Sequence, residues 1–165
     1  MPDSFDVRTL DSTDWRILDQ LQRNAALSNQ DLAGLVHVSP ATCLRRVKRL
    51  VESGVIERRV ALLSPERLGA GLTAIVEITL DRQGAEHLAT FEARASADPN
   101  VQQCYRVSPG PDFVLVLQVA DMTAYHALVQ RLFTQDANVR NVKSFFSVRR
   151  AKFEPAIGLL QRAAL

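Results

Sequence analysis

Four cationic side chains, Arg45, Arg46, Lys48 and Arg49, fall within five positions of the stretch "SPATCLRRVKRL" (39–50). Long cationic groups at that density suit contact with phosphates and base edges. Other reactive residue types are present, but without the spacing their chemistry requires. His37, His87 and His126 form no HExxH and no ligand spacing. Cys43 and Cys104 stand far apart with no CxxC, and the serines and acids make no nucleophile elbow or lysine dyad. No catalytic activity, metal or cofactor is expected, and both cysteines read as buried thiols. "GAGLTA" (69–74) fits a loose G-x-G-x-x-A pattern. A dinucleotide loop must follow a strand and open a helix, however, and here the β-rich "IVEITL" comes after it, so the glycines read as a linker turning into a strand.

A cationic helix face also fits a solvated surface, a membrane interface or a partner's groove, so its setting decides. Ser39 is placed to cap the helix, Pro40 occupies the first-turn position that needs no N–H, and Gly54 stops it. At about 100° per residue, Cys43, Leu44, Val47, Leu50 and Val51 share the inward side. Ala41, Thr42, Arg45 and Arg49 centre on the outward side, with Arg46 and Lys48 flanking them. Two shorter helical patterns precede it. The first is capped by Asp11 or Ser12, with Asp14 in its first turn and Ile17, Leu18 and Leu21 on one face. The second is capped by Ser28, with Leu32, Leu35 and Val36 inward, and only a tight turn separates it from Ser39.

Three short helices, the last two joined by a turn, predict a helix-turn-helix module whose final helix enters the major groove. Small Ser39, Ala41 and Thr42 permit close approach. Arg45 and Arg49 reach bases or phosphates. Arg46, Lys48 and, in the extended "VIERRVALLSP" that follows, Arg58 and Arg59 neutralise phosphates. Double-stranded DNA is the expected partner. The net charge of +2 conceals a reversal, because residues 1–34 carry three arginines against six aspartates whereas residues 45–59 carry six cations against two glutamates. The acidic first segment is expected to keep the rest of the module off DNA.

Past residue 71 the pattern reads strand 72–80, helix 84–98, strand 101–108, strand 112–119, helix 122–133 and a long last strand 139–152. That βαββαβ order predicts an α+β chain with a C-terminal ferredoxin-like domain. An RNA-recognition module is a poor fit, because the strand "DFVLVLQV" carries a single aromatic, Phe113, where a stacking platform needs several. The expected organisation is an arm 1–10, a helix-turn-helix domain 11–61, a linker 62–71, the ferredoxin-like domain 72–152 and a tail 153–165. In 165 residues that are 47% hydrophobic, no apolar run approaches a bilayer-spanning length, and the acidic start is unlike a signal peptide. A cytoplasmic protein without membrane contact is expected.

"LDSTDWRILDQLQRNAALS", "DLAGLVHVSPATCLRRVKRLVESGVI", "ALLSPERLGAGLTAIVEITL", "QQCYRVSPGPDFVLVLQVADMTAY" and "VRNVKSFFSV", in that order, resemble the Lrp/AsnC family of feast/famine transcription regulators. The leucine-responsive branch is the most similar. The resemblance implies a winged helix-turn-helix and a regulatory ferredoxin-like domain. It also implies homodimers formed through the sheets and assembling to tetramers or octamers, with amino-acid effectors held in clefts between dimers. By matching position it assigns effector contact to Ser108, Pro109, Gly110, Asp112, Met122, Phe145, Phe146 and Ser147. Pro109, Gly110, Pro111 and Asp112 stand where the family commonly has a G-D-Y/F-D turn. Asp112 is then the expected partner of an effector's ammonium group, with Met122 and the phenylalanine pair offering apolar contact. An alternative is a stand-alone amino-acid-sensing assembly module whose basic helix binds a protein partner. A steep fall of duplex affinity with salt separates the two.

Overall fold

The computed structural model describes residues 6–159, so the first five residues of the expected arm and the last six of the tail lie outside the described residues. Two units are distinguished, one formed by residues up to 62 together with those from 153 on, the other by residues 63–152. Among the described residues no helix is long and apolar enough to cross a membrane.

In the first unit, local side-chain chemistry starts and stops three helices, α1 (Ser12–Arg23), α2 (Asn29–Val36) and α3 (Pro40–Glu52). The Asp11 carboxylate accepts from the N–H groups of Thr13 and Asp14, and Asp14 accepts in return from the Asp11 N–H, closing a capping box worth about 1 kcal/mol. Ser28 Oγ accepts from the Asp31 N–H at the start of α2. His37 closes that helix in a left-handed conformation, φ 57°. Ser39 Oγ accepts from the Thr42 N–H to start α3, and Gly54 at φ 74° ends it, a conformation that costs glycine nothing.

Ile17, Leu21, Leu32, Ala33, Val36, Cys43 and Leu50 make up the buried core of this unit. Burial of each large chain contributes about 1.5–3 kcal/mol, more than the caps, so this stripe docks the helices together. Leu35, Leu44 and Val51, expected inward, are instead exposed; Leu44 retains 60% of its surface. Helices this short share only a narrow seam. On α3 it runs through Cys43, Val47 and Leu50, leaving Leu44 and Val51 about a quarter-turn round the helix. Residues 57–63 form neither helix nor strand, so the wing implied by the resemblance has no sheet here among the described residues.

The second unit contains β1 (Leu72–Leu80), α4 (Ala85–Ala97), β2 (Val101–Arg106), β3 (Phe113–Val119), α5 (Met122–Val129), extended by a π-helical turn Gln130–Thr134, and β4 (Val139–Phe146). The sheet order is β2-β3-β1-β4, antiparallel throughout. Alternate residues Ala74, Val76, Ile78 and Leu80 of β1 and Phe113, Leu115, Leu117 and Val119 of β3 are buried with Phe91, Leu128 and Phe133 of the helical layer. The opposite face carries Ile75, Tyr105 and Phe145, all exposed.

β4 stops at Phe146 instead of continuing to Lys152. Phe146 pairs with Ala74 and the Ser147 N–H reaches Thr73 O, but β1 begins at Leu72, so its ladder with β4 extends no further. The "GAGLTA" stretch leads into β1, with Gly69 at φ 74° closing a short 3-10 turn.

Candidate functional site

The outward face of α3 is built from both of its ends. Ser39 Oγ donates to Thr42 Oγ1 at 2.9 Å while accepting the Thr42 N–H at 3.2 Å, so the two small polar residues at the helix start hold each other. Asn29 of α2 donates from Nδ2 to Pro40 O at 2.9 Å, fixing the entry of α3 relative to α2. Ser39, Ala41, Arg45, Lys48 and Arg49 are exposed, and Thr42 is half-buried. Lys48 makes only a 3.7 Å surface contact with Glu52, and Arg58 and Arg59 are exposed on the segment that follows α3.

Two of the expected cations are otherwise engaged. Asp14 lies at 1% side-chain exposure; its Oδ1 accepts from Arg46 Nη1 at 2.9 Å and its Oδ2 from Arg49 Nη2 at 2.5 Å. Asp11 Oδ2 accepts from the same Arg46 nitrogen at 2.8 Å. Arg46 keeps only 23% side-chain exposure, and its Nε is buried with no hydrogen-bond partner among the described residues. Asp11 and Asp14 push the Arg46 pKa further up. Burial pushes the Asp11 carboxyl up, but the Asp14 N–H and Arg46 outweigh it and hold it below its ordinary value. Two aspartates of the acidic first segment thus bind the cationic helix itself. The first-turn position of Asp14 is legible in the sequence, whereas its capping box with Asp11 and its pairing to residues more than thirty positions away are not.

The residues assigned to the effector fall into separate groups. The turn from Ser108 to Asp112 lies at the Leu80 end of β1. Asp112 Oδ2 accepts from the Leu80 N–H at 2.7 Å and from Gln83 Nε2 at 3.3 Å, and the Asp112 N–H donates to Ile78 O at 2.8 Å. Asp112 thus closes the sheet where β3 can no longer pair with β1, while its Oδ1 has no hydrogen bond among the described residues. Met122, Phe146 and Ser147 lie at the other end, after β3 and beside Thr73 and Ala74. The six residue steps of β3 separate the two ends by about 20 Å. Phe145 and Phe146 point to opposite faces. Phe146 meets Tyr125 edge-on at 4.9 Å between ring centroids on the helix side, and Phe145 lies under Lys143 Nζ at 4.9 Å on the open side. Tyr125, whose hydroxyl also bonds Ser144 Oγ, is the neighbour that the sequence did not single out.

A cavity of about 1130 Å³ in the first unit, between the outer side of α1 around Trp15 and tail residues 153–159, is lined by none of these residues. Neither cysteine forms a disulfide among the described residues; Cys43 is buried as expected whereas Cys104 is only half-buried, and burial pushes both thiols up.

A helix-turn-helix with an exposed cationic face, joined to a ferredoxin-like unit, defines a two-part DNA-binding regulator. The family profile described as the Lrp/AsnC ligand binding domain matches residues 73–157, and that described as winged helix-turn-helix DNA-binding matches residues 10–57. The leucine-responsive regulatory protein of Haemophilus influenzae is 40% identical over 145 residues, covering 88% of this chain and 87% of that protein. The crystal structure of a transcriptional regulator/L-Met complex from Neisseria meningitidis superposes with a TM-score of 0.85 at 32% identity, covering 92% of this chain and 98% of that one. An AsnC family transcriptional regulator from Agrobacterium tumefaciens gives a TM-score of 0.84 at 34% identity, covering 90% and 97%. The chain belongs to the Lrp/AsnC family of transcriptional regulators.

Proposed function

We infer that α3 reads a DNA duplex and that the ferredoxin-like unit adjusts this reading in response to a small amino acid with an apolar side chain. The observation that carries the DNA reading is the capped, core-docked α3 whose outward face presents Ser39, Ala41, Thr42, Arg45, Lys48 and Arg49, with Arg58 and Arg59 just beyond. Arg45 is the candidate for base-edge contact, Arg49 for base or phosphate, and Lys48, Arg58 and Arg59 for phosphate.

For the effector, the division of Asp112 from Met122, Phe146 and Ser147 by the length of the sheet supports a site completed by more than one copy of the chain. The exposed face bearing Ile75, Tyr105 and Phe145 is suited to a homodimer, with tetramers or octamers built from it. The L-Met complex of the Neisseria regulator favours an apolar amino acid. Isothermal titration of the full chain with a panel of amino acids tests this. Heat is expected with at least one apolar member, accompanied by a changed duplex affinity when that member is saturating. No heat from any of them would contradict the effector reading.

A further inference from the structure

We propose that Asp14 is a positioning residue for DNA recognition, which aims Arg49 at the duplex and withdraws Arg46 from it. This rests on α3 being the reading helix. The Asp14 carboxylate is fixed by its place in α1, where the capping box ties it to the Asp11 N–H at 3.1 Å and the surrounding helices bury it. From there it grips two α3 arginines three positions apart, and the outcomes for them differ. Arg46 is chelated by Asp11 and Asp14 together and is largely buried.

Arg49 is held through Nη2 alone, with 48% of its side chain exposed. A guanidinium anchored at one nitrogen by an immobile carboxylate has lost most of its rotamer freedom before DNA arrives, and its remaining donors form a rigid outward fork. Two carboxylates against two guanidinium groups also cancel charge beside the groove-facing surface. That lowers sequence-independent attraction to phosphate without removing the directed contact.

Duplex affinity is measured against salt for a duplex that the wild-type protein selects from a random pool and for a scrambled duplex of equal length. Arg46→Gln is expected to leave the salt slope unchanged, whereas Arg49→Gln makes it shallower by about one. Asp14→Asn is expected to weaken binding to the selected duplex about tenfold, or about 1.4 kcal/mol, and to leave scrambled-duplex binding equal or tighter. Equal weakening on both duplexes, or no change on either, would overturn the proposal and leave Asp14 a stability residue.

Should Asp14→Asn fail to fold, Arg49→Lys gives the same decision with Asp14 intact. It keeps the charge and loses the fork, so discrimination between the duplexes should fall tenfold at an unchanged slope, and wild-type discrimination would refute the proposal. Absence of duplex affinity in the wild type is a different result, which contradicts the reading of α3 itself.

Discussion

Single side chains in this protein take their roles from the charges around them. Arg46 and Lys48 are two positions apart, yet one is folded against Asp11 and Asp14 and the other stands in solvent. The same principle governs two carboxylates of the second unit. Burial pushes the Asp98 carboxyl up, but the Arg131 guanidinium and the Asn100 N–H groups outweigh it and hold it below its ordinary value. Burial likewise pushes Asp136 up, and the Asn138 N–H and Arg94 bring it down further. A depressed folded-state value adds stability that is complete above the unfolded value, about 3.9, and is lost as pH falls through the folded one. The urea midpoint of the wild type should therefore drop as pH is lowered below about 4, and Asp98→Asn should show a smaller drop. Identical acid profiles for the two proteins would contradict the role given to Asp98.

At the scale of elements, what was legible in the sequence is what local chemistry decides. Capping residues Asp11, Ser28 and Ser39 and the left-handed Gly54 bound the helices where the pattern puts them, and β1 occupies the expected residues 72–80. Periodicity assigned Leu44 and Val51 to the core because it knows the angle round α3 but not the width of the seam it meets. It carried β4 on to Lys152 because an edge strand's length is set by its partner, and β1 supplies none beyond Leu72. The cationic face was legible for the same local reason. The Asp14 grip and the opposite facing of Phe145 and Phe146 depend on helix packing and strand register, which residue spacing along one segment does not contain.

For the whole molecule, the proposed pairing through the open sheet face makes a mass prediction. Ile75→Glu combined with Phe145→Glu places two carboxylates where apolar surface should be covered, so light scattering should show a multiple of 18.3 kDa for the wild type and a lower multiple for the variant. An unchanged mass in a folded variant would contradict that pairing. The central claim, that α3 reads duplex DNA through a small set of exposed cations, is tested most directly by the salt dependence of duplex affinity. The wild type should lose affinity steeply and linearly in log–log form, by about 0.9 in slope for each phosphate neutralised, and Arg45→Ala with Lys48→Ala should bind more weakly with a shallower slope. A wild-type slope near zero, or equal slopes for the wild type and the double variant, would contradict it.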